Sequence, residues 1–307
     1  MPTILLGESH FCDAAVAELE AVGEVVGFER FHAELPRADA IVVGLELMVD
    51  RALLDLAPRL RVIATRTSQL RHIDVDEATR RAIAILRIEP DDPVLRETTS
   101  TAEETFALLL ALVRHVPWAF DAVKGERWER TRYGGRELQG KTIGLVGYGR
   151  LGRMVAGYAR AFGMEVVAHD PAAPTDGVEA VTLEELLERA DVVSIHCTFD
   201  DTTRGLLGAD ELALLRPGAV VVNTARAEIV DEAALLDALA QGRIAGAAVD
   251  TLAGERTDGT HLVDHPLVRY ARTHENLIIL PHLGGATVEA TERTQISISR
   301  KLAEHLR

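Results

Sequence analysis

Cysteine is nearly absent: Cys12 and Cys197 are the only two in 307 residues, far apart and in unrelated contexts. A disulfide framework and a zinc cluster both require more, so the chain suits a reducing compartment, the cytoplasm. No run of eighteen apolar residues occurs, and no basic stretch precedes an apolar one near the start. A membrane span and a secretion signal are therefore not expected. Basic charge is short as well, with Lys124, Lys141 and Lys301 the only lysines and a formal net charge of −15. Nucleic acid needs a basic face, so it is not an expected partner. An anionic small molecule would have to be captured by local arginines against the global field. His261, His265, His274 and His282 cluster in sequence, but their spacings match no ligand pattern, and no metal site is expected. Trp118 and Trp128 are read as core or subunit-contact residues.

What is present is concentrated between Lys141 and Asp170, KTIGLVGYGRLGRMVAGYARAFGMEVVAHD. Thr142–Val146 reads as a short buried strand. Gly147-Tyr148-Gly149-Arg150-Leu151-Gly152 follows at once, and Leu151, Val155, Tyr158, Ala159 and Phe162 then share one face of a helix. Gly163 ends that helix, and a second strand from Glu165 runs into His169-Asp170. A lone G-x-G-x-x-G is weak. Between a strand and a helix, with an acid eighteen residues beyond its last glycine, it is a dinucleotide fingerprint. Gly147 permits the tight turn, Gly149 lets a pyrophosphate approach the backbone, and Gly152 lets helix and strand pack closely. The helix N-terminus offers N–H groups to phosphates. Asp170 can accept from both adenine-ribose hydroxyls and would repel a 2′-phosphate, so NAD is expected rather than NADP.

Around this unit the chain alternates strand and helix. Residues 1–98 carry strands at Thr3–Leu6, Glu24–Gly27, Ala40–Val43, Arg61–Thr65 and Ala82–Leu86, with helical patterns at Ala14–Ala21 and Arg51–Leu56. Such alternation predicts a parallel sheet covered on both faces. Residues 90–100 read as a connection. A capping box at Ser100–Glu103 should then open an apolar helix from Thr101 to about Trp118, and 124–139 reads as an arm or loop. Further strands are expected at Asp191–His196, Ala219–Asn223, Ala247–Asp250 and Leu277–Leu280. Helices are expected at Ala209–Leu215 and Glu232–Ala240, with a last one around Thr287–His305. Six strands from 142 to 280 would make one complete dinucleotide-binding domain.

Beyond the fingerprint, three segments join it: VVSIHCTFDDTTRGLL, LLRPGAVVVNTARAEIVDEAALLDAL, and the pair AAVDTLAGE with NLIILPHLGGAT. Together they resemble the D-isomer-specific 2-hydroxyacid dehydrogenases over nearly all of residues 99–290; over 1–98 the likeness is one of layout. The resemblance implies an α/β fold of two domains, a central Rossmann-type doubly wound parallel sheet and a flavodoxin-like α/β substrate domain. The substrate domain would be residues 1–98 completed by 282–307, and the NAD-binding domain residues 99–281, with the active site in the cleft that such folds form. It also implies an NAD-dependent enzyme, a small-molecule 2-hydroxy or 2-keto acid as substrate, and a homodimer.

Reduction of a 2-keto acid needs a carboxylate anchor, a proton donor for the carbonyl oxygen and a hydride at C2. Arg226 follows the strand end Asn223-Thr224-Ala225, where open α/β sheets bind ligands, and its planar fork suits a carboxylate. His282 follows a strand and Pro281, with Gly284-Gly285 behind it to clear space, and histidine exchanges protons near neutral pH. Glu255 resembles the family's partner to that histidine. By the same resemblance Tyr148, Arg150, Leu151, Thr224 and Gly284 join the fingerprint glycines and Asp170 at the cofactor. Asp250 would reach the nicotinamide carboxamide, and His196 and Thr198 would line the path between adenine and nicotinamide. Thr198 stands where the family usually has proline.

The loop Arg66–His72 departs further: Gln69 occupies the place of the family's usual glycine. Ser68, Gln69 and Arg71 are therefore expected to meet substrate with side chains, favouring a polar or doubly anionic one. The chain stops soon after its last predicted helix, which weighs against the long phosphoglycerate dehydrogenases with a regulatory domain, and Glu255 weighs against formate dehydrogenase. Two other readings share the fold: an NAD(H)-sensing binding protein, and a dehydrogenase of another small anion such as phosphite.

Overall fold

The computed structural model describes residues 1–89, 91–172, 177–256 and 258–307. The chain divides into two compact units, Met1–Thr98 with Thr287–Arg307, and Thr99–Ala286. The turn His282–Ala286 is thus part of the second unit.

In the first unit five short runs of apolar and β-branched residues form one parallel sheet: β1 (Thr3–Leu6), β2 (Glu24–Val26), β3 (Ala40–Val43), β4 (Val62–Thr65) and β5 (Ala84–Arg87). Their order is β2-β1-β3-β4-β5, the flavodoxin-like arrangement. β1, β3 and β4 are buried along their whole length, as strands covered on both faces must be. Two apolar layers flank them. One gathers Phe31, Leu35, Ile41 and Ile63; the other gathers Ile4, Leu19, Val42 and, from the helix Val288–Leu306, Ile298 and Leu302.

The second unit holds seven strands: β6 (Thr142–Val146), β7 (Glu165–His169), β8 (Glu179–Ala180), β9 (Val192–Ile195), β10 (Val220–Asn223), β11 (Gly246–Val249) and β12 (Leu277–Ile279). The order β12-β11-β10-β9-β6-β7-β8 is parallel throughout and reverses direction at β6, the switch point where such sheets bind ligands. Six strands were expected from the pattern. The seventh, β8, is two exposed residues paired to β7, too short to show any periodicity. Gly144 in mid-β6 is required by packing, since a Cβ there would lie 2.4 Å from Leu186 Cδ2.

Three local expectations need correction. The apolar helix does not run from Thr101 to Trp118: it spans Ser100–Val113, and a second helix spans Val116–Lys124. His115 between them takes a left-handed backbone, φ 54°, and Pro117 falls in the first turn of the second helix, where its ring is tolerated though it could not continue the first. The capping box at Ser100 is also absent. Ser100 is already helical, Thr99 occupies the cap position, and its hydroxyl donates to Glu103 Oε1 (2.5 Å). The connection at 90–100 contains a short helix, Pro93–Arg96, capped by Asp92 through Val94 N (3.0 Å); Pro90 lies outside the described residues. Elsewhere Thr182 and Glu185 form a reciprocal capping box, and Asp231 caps Glu232–Ala240.

The helix Ser100–Val113 buries Phe106, Leu108, Leu109 and Leu112 against Ile143, Leu145, Val155 and Val222. Leu109→Ala would leave a cavity there and should cost about 2–5 kcal/mol in chemical denaturation, with the native fold retained by circular dichroism.

Candidate active site

The glycines of the fingerprint separate into two kinds. A Cβ on Gly147, whose φ is +98°, would lie 2.4 Å from Cys197 N, and one on Gly152 would lie 2.3 Å from Gly147 O. Those two are required by the fold itself. Gly149 meets nothing within 4 Å, so its backbone is open on the side from which a ligand approaches. It caps the helix Arg150–Ala161, which carries no acid in its first turn to compete for a phosphate. Arg150 is half-buried there, and burial pulls its pKa down; Leu151 packs into the core beneath. Tyr148 is buried under the Arg153 guanidinium, 4.6 Å from the ring centroid. Tyr148 N donates to Asp170 Oδ2 (2.7 Å) and Ala172 N to Asp170 Oδ1 (2.9 Å), so two N–H groups aim this carboxylate at the end of β7. Beside it opens a groove of about 600 Å³ lined by His169, Asp170, Pro171, Val181, Thr182 and Glu184. The cradle and the groove fit the phosphates and ribose of a dinucleotide.

Along the strand ends the next residues are more committed to the protein. His196 Nε2 meets Ser194 Oγ at 2.8 Å, and burial holds its pKa down to about 4, so the ring is neutral. Burial also pushes the Cys197 thiol up to about 11, away from nucleophile chemistry. Thr198 is exposed, and its carbonyl accepts from Thr203 Oγ1 (2.8 Å). Thr224 is buried with its hydroxyl 2.8 Å from Thr105 Oγ1. Thr105 already donates its one hydroxyl hydrogen to Thr101 O (2.8 Å), so Thr224 is the donor of that pair.

The ends of β10, β11 and β12 bring the remaining residues together. Asn223, which the sequence pattern did not single out, clamps the loop carrying Arg226: its Nδ2 donates to Arg226 O (2.9 Å) and its Oδ1 accepts from Ala225 N (3.0 Å). Arg226 Nη1 donates to Ala225 O (2.7 Å). His282 Nδ1 lies 2.9 Å and 3.1 Å from the two oxygens of Glu255. A carboxylate only accepts, so Nδ1 carries the proton of that bond and Nε2 is the atom left to exchange one. Burial works to raise the Glu255 pKa, but the hydrogen bond with His282 and the charges of His282, Arg226 and His261 outweigh it. The net shift is down, and Glu255 stays ionised below the usual carboxylate range.

Asp250 governs the turn behind His282. Its Oδ1 accepts from Leu283 N (2.7 Å), its Oδ2 from Gly284 N (2.9 Å), and its main-chain oxygen from His282 N (2.8 Å). Gly284 O accepts from Thr101 Oγ1 (2.9 Å). A Cβ on Gly284 would lie 2.9 Å from Glu104 Oε2 and 3.1 Å from Asp250 Oδ2. Glu104 is a second residue the sequence did not reveal. Burial, then the Asp250 charge beside it, push its pKa up to about 8.

Within the first unit the loop after β4 is held by its own side chains. Thr65 Oγ1 meets His72 Nε2 (3.1 Å) and Thr67 Oγ1 (3.0 Å), and Thr67 Oγ1 donates to Gln69 O (2.7 Å). Arg87 Nη1 donates to Ser68 O (3.3 Å). Arg66 Nε donates to both oxygens of buried Glu8 (2.8 and 3.0 Å), which also accepts from Gln295 Nε2 (3.1 Å). Arg71 is exposed.

Residues 106–284 match the D-isomer specific 2-hydroxyacid dehydrogenase, NAD binding domain, and the chain belongs to that family. Among its relatives, D-3-phosphoglycerate dehydrogenase of Bacillus subtilis is 39% identical over 278 residues, 89% of this chain and 50% of the relative. The chain thus spans about half the length of the curated relatives it matches. Among solved structures, D-lactate dehydrogenase from Aquifex aeolicus, complexed with NAD and lactic acid, superposes with a TM-score of 0.78 at 26% identity, covering 98% of this chain and 94% of that one. An NADPH-dependent glyoxylate/hydroxypyruvate reductase from Sinorhizobium meliloti does so at 0.77 and 28%, covering 98% and 94%.

The two kinds of glycine predict opposite defects. Gly149→Ala should fold with an unchanged Tm and lose NADH affinity by about tenfold or more. Gly152→Ala should lower Tm, because its Cβ meets backbone. Fluorescence titration and thermal melts on both variants check this.

Proposed function

We propose that this protein is an NAD(H)-dependent oxidoreductase that transfers a hydride between nicotinamide and C2 of a 2-hydroxy or 2-keto acid. The observation that carries the reading is the His282–Glu255 bond with Arg226 in the same charge cluster, at the C-terminal ends of adjoining parallel strands. NADH bound in the second unit supplies the hydride. Arg226 binds the substrate carboxylate and polarises the keto oxygen. His282 Nε2 gives its proton to that oxygen in reduction and takes it back in oxidation. Glu255, ionised, holds the imidazole by Nδ1 and compensates its charge. Asp250 receives the nicotinamide carboxamide, and Gly284 leaves room beside it. Asp170, aimed by its two N–H donors, receives the adenine ribose and selects NADH over NADPH. Ser68, Gln69 and Arg71 of the first unit contribute to substrate choice.

The same reading makes the protein a cytoplasmic homodimer. Val116, Phe120, Val123 and Trp128 leave an apolar face in and just after the helix Val116–Lys124, with Trp128 86% exposed, and a second copy would cover it. Size-exclusion chromatography with light scattering reads that mass.

The purified protein should oxidise NADH with one or more of glyoxylate, pyruvate, hydroxypyruvate, branched or aromatic keto acids and oxaloacetate, at least about tenfold better than NADPH. His282→Ala should lower kcat by about a hundredfold to ten-thousandfold. Tight NADH binding without turnover on any acceptor would favour the NAD(H)-sensing alternative, and turnover confined to phosphite the other one. Arg71→Ala should reorder the substrate profile, the doubly anionic acids losing most. An unchanged ranking would remove this loop from substrate choice.

A further inference from the structure

Glu104 has no part in the reaction just described, yet it sits beside the residues that perform it. It lies in the second turn of the helix Ser100–Val113, with Oε2 sealed from solvent. The position of a Cβ on Gly284 falls within 2.9 Å of that oxygen and 3.1 Å of Asp250 Oδ2, so the two carboxyl groups border one methyl-sized space. The groups that face Glu104 can be named element by element. Its own helix presents the neutral hydroxyls of Thr101 and Thr105. The end of β10 presents Thr224, whose hydroxyl is committed to Thr105. The end of β11 presents Asp250, and the turn after β12 presents the N–H groups of Leu283 and Gly284, both donated to Asp250. The charges beyond Asp250 are those of His282, and past it Glu255 and Arg226. Among the described residues no cation pairs with Glu104.

Two ionised carboxylates cannot share such a space, so the pair retains one proton. Asp250 has an N–H on each oxygen and is the better anion, which leaves the proton on Glu104 as a donor to Asp250. A cation placed against the pair removes the reason to keep it. The nicotinamide ring is cationic in NAD⁺ and neutral in NADH, and on the reading above its carboxamide rests on Asp250.

We propose that Glu104 and Asp250 form a one-proton carboxyl pair that tracks the charge of the nicotinamide, keeping its proton beside NADH and releasing it to solvent when NAD⁺ binds. Glu104 is then a positioning residue that acts through Asp250, and NAD⁺ binding strengthens with pH while NADH binding does not. A unit charge about 6 Å away at an effective dielectric near 20 favours the ionised pair by on the order of tenfold to a hundredfold. The inference rests on the proposed cofactor reading.

The test is calorimetric titration of the protein with NAD⁺ and NADH at pH 7.5, in two buffers of different ionisation enthalpy, with affinities followed from pH 6.5 to 8.5. NAD⁺ should release a large fraction of one proton and NADH little. NAD⁺ affinity should rise about tenfold across the range and NADH affinity stay nearly level. Glu104→Gln, which keeps the shape but cannot ionise, should lose most of the release and the slope. Undiminished release in Glu104→Gln would assign the proton to His282 and overturn the proposal, as would equal release with both ligands. Failure of the parent protein to bind either dinucleotide would instead overturn the cofactor reading itself. Melting of the free protein supplies a second readout. A carboxyl whose folded pKa is raised loses stability as pH climbs from the ordinary carboxylate range toward about 8. Glu104→Gln should therefore gain Tm over the parent progressively between pH 5 and 8, and a gap independent of pH would overturn the pair.

Discussion

The carboxylate of Asp250 closes a ring of hydrogen bonds over the turn that carries His282. Its two oxygens take the N–H groups of Leu283 and Gly284, and its main-chain oxygen takes that of His282. The turn needs that hold, because His282 adopts φ +57°, a left-handed backbone that costs a non-glycine residue on the order of 1–2 kcal/mol. Three bonds, two of them to a charged acceptor, exceed that penalty. Glu255, which holds the His282 ring, follows a few residues after Asp250 on the same connection from β11. Backbone and ring of the histidine are thus both governed from one strand end, and whatever displaces the end of β11 displaces the imidazole.

The acids of the second unit show how a chain of net charge −15 can still present a dinucleotide site. Asp170 and Asp250 each accept two backbone N–H groups. N–H dipoles fix the direction of a carboxylate without neutralising it, so it remains an acceptor, on the proposed reading for ribose or carboxamide. The charge of Arg226 acts on Glu255. Burial raises the Asp250 pKa too, opposed by its two N–H donors; Glu104, which has no such donors among the described residues, is driven further toward its neutral form by burial and by Asp250.

Much of this was legible in the sequence because it is written locally. β6, β9, β10 and β11 are short runs of small or β-branched apolar residues bounded by turn residues, and the parallel sheet follows from their alternation with helices. The fingerprint glycines and the residues at strand ends were legible for the same reason. β8 was not, since two exposed residues acquire strand geometry only from β7. The break at His115 was obscured by apolar residues on both sides of it, although Pro117 announced a new helix start. Ser100 read as a cap because Glu103 follows it at the right spacing, but the preceding Thr99 takes that glutamate. Glu104 was invisible for a different reason. On a helix beside Glu103 it resembles any solvated acid, and only the arrival of Gly284 and Asp250 from far along the chain half-buries it and seals one oxygen.

The first unit shows the limit of reading charge from composition. The loop after β4 carries Arg66 and Arg71, and two arginines so close together suggest an anion trap. Arg66 is committed: its Nε faces both oxygens of buried Glu8, and Gln295 supplies a further donor to the same carboxylate. Burial pushes the Glu8 pKa up and the Arg66 charge opposes this, so the ion pair and its desolvation are one unit, and removing either partner would strand a buried charge. His72, next to it, is held neutral near a pKa of about 4 by burial and joins the loop through Thr65 rather than through charge. A cation bound in this way shapes the loop instead of attracting a ligand. On the proposed reading, discrimination between singly and doubly anionic acids then falls to exposed Arg71, whose charge is screened by water and salt, and selection by shape around Ser68 and Gln69 carries correspondingly more weight.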